Sequence, residues 1–153
     1  MLLRPIRPGD APGAHAALRP PVTGKRLPAL LRGDAAAPPD WARILADVDH
    51  DRRAAIVAAD PEGELIGVAR YGTEPGADEA EIAVVVQDAW QGRGLGTILL
   101  SALLDHAVSR GITKFLAYVL ADNHRMLRLV GRQGVMTERS HDQGVVSLRF
   151  TRR

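Results

Sequence analysis

The 153-residue sequence contains no cysteine. That excludes disulfides, thiolate metal ligands and a cysteine nucleophile, and it agrees with a reducing compartment. Lysine is nearly absent as well: Lys25 and Lys114 are the only lysines among 20 basic residues. The arginines are scattered and the net charge is only +2. There is thus no basic stripe for nucleic acid and little field to steer a polyanion. No apolar run approaches the roughly 18 residues of a membrane span, and Met1–Pro5 has no signal-peptide core. The five histidines (His15, His50, His106, His124 and His141) have no H-E-x-x-H or other ligand spacing. No metal is expected. These absences predict a cytoplasmic protein that binds neither nucleic acid nor a membrane.

What remains is ordinary globular composition, 46% apolar and 25% charged. The length suits one domain over residues 1–153. Residues 1–8, with Pro5 and Pro8, predict a short edge strand. Asp10 is a candidate N-cap for a following helix. Residues 19–39 carry five prolines and read as a loop with one or two helical turns. Asp40–Leu45 reads as a short capped helix.

From Arg53 the signal is sharper. Residues 54–59, 64–71 and 79–87 predict three antiparallel strands separated by turns at Pro61–Gly63 and Thr73–Asp78. Ile82–Val86 is apolar at every position, the pattern of a central strand covered on both faces. Residues 96–110 predict a helix with Leu99, Leu100, Leu103, Leu104 and Ala107 on one stripe, closed by Gly111. A strand at 113–120 follows. Next comes a helix capped by Asp122 or Asn123 and running to about Gln133. Gly134 closes that helix, and short strands at 135–138 and 145–150 complete the chain. The strand–helix–strand step from 79–87 to 114–120 is a crossover, which makes those two strands parallel. The predicted fold is therefore α/β with a mixed sheet.

A buried strand, closely spaced glycines and a helix start describe an anion site. Unpaired N–H groups of the first turn and the positive end of the helix dipole converge there. Gln91-Gly92-Arg93-Gly94-Leu95-Gly96-Thr97 is such a segment. A Walker A loop requires a lysine that is absent here. A dinucleotide fingerprint needs a third glycine where Thr97 stands, although Asp122 occupies the place of a ribose-binding acid. Trp90 reads as a packing anchor for the turn.

The arrangement Q-x-x-G-x-G at Gln91, Gly94 and Gly96 resembles the pyrophosphate signature of the GNAT acyltransferases. The likeness extends through EIAVVV before it and ADNHRMLRLVGRQGV after it, with Asn123, Leu129 and Gly134 at matching spacings. It covers about residues 64–135. DHDRRAAIVAADPEGELIGVARY together with AEIAVVVQDAWQGRGLG is similar to the bacterial Pat-type protein lysine acetyltransferases. The resemblance implies a mixed sheet of six to seven strands whose two parallel strands splay. It implies acetyl-CoA as co-substrate, held by Val84, Val85, Val86, Gln91, Gly92, Arg93, Gly94, Leu95, Gly96, Thr97, Asn123 and Met126. A bare N–H near Val84 would polarise the thioester carbonyl. Glu81 would be the general base for direct attack by the amine, with Glu79 in reserve.

The implied acceptor is a primary amine, first a protein lysine, perhaps on an acyl-CoA synthetase, and the implied assembly is a monomer or homodimer. The alternatives are a small-molecule amine acetyltransferase and a non-catalytic acyl-CoA sensor or interaction module. One departure stands out. Many family members place a proton-donating tyrosine where this sequence has Val130, and an aromatic where it has Val135. His124, beside Asn123, is the histidine nearest the expected cofactor site.

Overall fold

The computed structural model describes residues 2–5, 49–74, 76–87 and 90–153. The helices expected near Asp10 and Asp40, and the proline-rich stretch between them, lie outside the described residues. The described residues form seven strands and two helices: β1 (Leu2–Pro5), β2 (Arg53–Ala59), β3 (Leu65–Thr73), β4 (Glu79–Val86), α1 (Leu95–Ser109), β5 (Lys114–Leu120), α2 (His124–Gln133), β6 (Gly134–Asp142) and β7 (Val145–Arg152). The strands form one sheet in the order β1-β2-β3-β4-β5-β7-β6. All neighbours are antiparallel except β4 and β5, which are parallel. The expected mixed sheet and its single crossover are both present.

The core lies between one sheet face and the helices. Leu99, Leu100, Leu103 and Leu104 of α1 are fully buried against Ile66, Ala69, Tyr71, Ala80 and Ile82 of β3 and β4. Each such leucine contributes roughly 2 kcal/mol from apolar burial. α1 can come this close because β3 has no side chain at Gly67. A Cβ there would stand 2.8 Å from Leu99 Cδ1 and 3.3 Å from Leu95 Cδ2. Gly111 ends the helix with φ +83°, as its position just past the last turn predicts. β5, β7 and α2 complete the core with Phe115, Ala117, Phe150, Leu148 and Val130. Phe115 and Phe150 stack with centroids 5.5 Å apart.

Gly134 closes α2 as expected, in an extended conformation (φ −128°, ψ 156°) that makes it also the first residue of β6. Two expectations need correction. β6 runs to Asp142 rather than stopping at Glu138, because its polar, exposed second half is held by register with β7 and not by an apolar pattern. β4 is central, but it is not covered throughout. Ala80 and Ile82 are buried, whereas Ala83, Val84, Val85 and Val86 are only partly so. The physical cause is a divergence of strands, which also builds the site.

Candidate active site

β4 and β5 are paired over four residues only, Glu79 to Ile82 against Lys114 to Ala117. Beyond that point β5 continues along β7, and β4 continues along β3 to Val86. The two strands therefore splay. Gln87 donates its N–H to Ile66 O at 2.9 Å, on the β3 side. Backbone groups alternate along an antiparallel strand, so Val85 and Ala83 also point to β3, and Val84 and Val86 point into the gap. Gln91 Nε2 reaches Val86 O across that opening at 3.2 Å.

α1 begins at the top of the gap. Its N-cap is Gly94 in the left-handed region (φ 80°), with no side-chain cap and no acid in the first turn. Gly92 is also left-handed (φ 77°). Two left-handed residues in a four-residue turn fold it back so that N–H groups face outward, which only glycine does without strain. The first-turn donors are left for an anion. α2 begins beside it, but Asn123 Oδ1 accepts the Met126 N–H at 3.1 Å. The helices are fixed to each other where they flank the gap: Gln133 Nε2 donates to Thr97 O at 3.2 Å.

Between them lies a cavity of about 570 Å³. Of the residues expected to hold the cofactor, Val84, Val85, Val86, Gln91, Gly92, Gly94, Gly96, Thr97, Asn123 and Met126 line it. Two do not. Leu95 is 3% exposed and belongs to the core, so only its backbone can serve. Arg93 turns its guanidinium onto the Trp90 ring, 5.2 Å from the centroid. Trp90 packs against the core as expected and also lines the cavity. His124 is exposed and is not among the lining residues.

The sequence reading missed Arg125, Arg128 and Arg132, which line the same cavity. A methyl group at Gly92 would stand 3.6 Å from Arg125 Nη2, which places that guanidinium at the turn. Their spacing of three and four along α2 was the available signal, since it puts three cations on one helical stripe.

The two glutamates of β4 have different surroundings. Glu79 Oε2 accepts from Arg149 Nε at 3.1 Å. Glu81, one residue before the divergence, has no such partner, and its Oε1 is buried without a hydrogen bond among the described residues. Burial raises its pKa above the ordinary carboxyl value; the Arg70 charge opposes this and Glu74 adds to it. Glu81 leaves the sheet face opposite α1, because its strand neighbours Ala80 and Ile82 are in the α1 core. Val130 is fully buried in that core. Among the described lining residues the cavity has hydroxyl, amide and guanidinium groups but no carboxyl, imidazole or phenol.

A splayed parallel pair, a bare helix start and a polycationic wall fit a long ligand with an amide-rich arm and a phosphate-bearing end. Comparison with known proteins points the same way. The chain is 34% identical to the acetyltransferase Pat of Mycolicibacterium smegmatis over 148 residues, 94% of this chain and 43% of that protein. It thus spans less than half the length of that curated relative. It is 35% identical over 83 residues to an L-methionine sulfoximine/L-methionine sulfone acetyltransferase of Pseudomonas aeruginosa, 52% of this chain and 48% of that one. The solved GNAT domain of S. lividans PAT superposes with a TM-score of 0.78 at 29% identity, covering 97% of this chain and 89% of that one. Residues 26–135 match the family described as acetyltransferase (GNAT). With fold, gap and sequence in agreement, the chain belongs to the GNAT acetyltransferase family.

Proposed function

We propose that this protein transfers an acetyl group from acetyl-CoA to a primary amine, with a protein lysine as the favoured acceptor and Glu81 as general base. The observation that carries the proposal is the divergence of β4 and β5. It leaves the Val84 and Val86 backbone unpaired by β5, ends beneath a bare helix start, and has Glu81 at its root.

The residues present fit the cofactor. The first turn of α1 and Arg125 would hold the pyrophosphate; Val84 and Val86 would pair with the pantetheine arm; Arg128 and Arg132 add positive charge along the wall. When bound, acetyl-CoA supplies the activated acyl group. The Val84 N–H is placed to stabilise negative charge on the carbonyl oxygen. A lysine amine has a pKa near 10.4, so about one in a thousand is unprotonated at pH 7, and a carboxylate must take its proton. Support for Glu81 over Glu79 is the Arg149 bond, which occupies Glu79.

Likeness to the acetyltransferase Pat favours a lysine acceptor, and by the same resemblance an acyl-CoA synthetase is a candidate protein to carry it. Likeness to the sulfoximine acetyltransferase supports a second reading, a small amine. Val130 bears on a third reading, a non-catalytic acyl-CoA sensor. Calorimetry with acetyl-CoA, then thiol release against peptide, protein and small amine acceptors, separates the three. Binding without turnover on every acceptor would favour the sensor; turnover only with small amines would displace the lysine reading.

A further inference from the structure

We propose that Arg70 is a positioning residue for Glu81, a buried guanidinium that keeps this carboxyl group charged on the sheet face opposite α1. The proposal rests on the assignment of Glu81 as base. In the β3–β4 register Gly72 stands opposite Glu81, and Arg70 stands opposite Ala83. Arg70 and Glu81 therefore leave the same face as diagonal neighbours, a separation that long side chains bridge. Arg70 folds toward Glu81 rather than away: its Nη2 lies 3.2 Å from where a Cβ on Gly72 would be. The missing side chain at Gly72 is the cradle in which the guanidinium rests.

Arg70 is 9% exposed, and no salt bridge or hydrogen bond within the described residues uses its charge. Burying an arginine is costly unless another group compensates its charge. A guanidinium offers five N–H donors to such a group. Here Arg70 Nε and Glu81 Oε1 are both buried and both without a hydrogen bond among the described residues, on diagonal neighbours of one face. Burial lowers the Arg70 pKa to about 10, and Glu81 opposes the fall, so Arg70 stays charged at neutral pH.

The other charged or titratable groups about Glu81 do not duplicate this role. On β2, Arg53 lies beside Arg70 and lowers its pKa. At the end of β3, Glu74 repels the Glu81 charge. On β4 itself, Glu79 is bonded to Arg149 of β7. On β5, Lys114 is bonded to Asp78, and Tyr118 stands two residues beyond Leu116, the partner of Glu81, on the same face. Among these groups Arg70 is the one that favours the ionised form of Glu81.

The test is a 13C NMR titration of the Glu81 carboxyl together with the pH profile of kcat/KM, in the intact chain. With Arg70→Gln, we expect the Glu81 titration and the acid limb of kcat/KM to move up together by about one pH unit. That is a roughly tenfold loss of rate below the limb. Acetyl-CoA affinity should be unchanged. Arg70→Lys, which keeps a cation in place, should restore most of the ionisation. If Arg70→Gln does not fold, Gly72→Ala displaces the guanidinium without deleting it, and a smaller upward shift is expected. A Glu81 titration unmoved in these variants overturns the proposal. A Glu81→Gln enzyme with full turnover would overturn the base assignment instead, and the NMR shift would still report on Arg70.

Discussion

The two halves of β4 are parts of one extended strand with opposite fates. Ala80–Ile82 is paired on both sides; Ala83–Val86 is paired with β3 alone, and Val84–Val86 line a cavity. Both halves are extended and largely apolar apart from the two glutamates. What separates them is the neighbour: β5 follows β4 for four residues and then stays with β7. The paired half gives a rigid base on which a carboxylate can be aimed. The open half gives backbone donors and acceptors that no side chain needs to supply. β4 thus differs along its length by pairing as well as by composition.

The largest break in this comparison should come from the paired half. Glu81→Gln is expected to lower kcat/KM by at least about 100-fold, with acetyl-CoA affinity unchanged in calorimetry. pH sharpens the point. If Glu81 is the base, its raised pKa should move the acid limb of kcat/KM above the ordinary carboxyl value, with activity lost as pH falls through it. The stability linkage has the opposite sign. A carboxyl whose folded pKa is raised contributes stability that is fully present below its unfolded pKa and lost as pH rises through the folded value. In denaturant titrations against pH, Glu81 should cost stability where it gains activity.

Proline substitution compares neighbouring residues directly. Val85→Pro removes an N–H that faces β3 and should destabilise the fold by roughly 2 kcal/mol or more in denaturant unfolding. Val84→Pro removes an N–H that faces the gap. It should leave stability nearly intact and weaken turnover about tenfold; equal loss of stability in both variants would refute the assignment of the gap-facing residues. Gly94→Ala forces a side chain into φ 80°, at a strain of about 1–2 kcal/mol. Acetyl-CoA binding should weaken by up to about tenfold if the turn shifts to relieve it. The smallest effect is expected for Glu79→Gln. Its bond to Arg149 is half exposed, worth about 1 kcal/mol or less, and kcat/KM should change less than about twofold.

Much of this was legible in the residues. The leucine stripe of α1, the glycines around Arg93 and the capping Asn123 each carry a local physical signal, and each element formed where that signal lay. The longer reach of β6 was not legible, because Ser140, His141 and Asp142 are exposed and have no apolar alternation. The cavity arginines were legible only once α2 was known to turn that stripe toward the turn at Gly92.

The sequence by itself determined the order of the described elements, the glycine-rich turn and the family resemblance, since all three are carried by residues near in the chain. Only the tertiary structure decided that Leu95 faces the core and Arg93 the Trp90 ring. It alone gave Glu79 a partner in Arg149, 70 residues away. It alone laid Arg70 over Gly72 opposite Glu81. The reason is register. Which side chains share a face, and which backbone groups go unpaired, follows from how strands distant in sequence align and where they part.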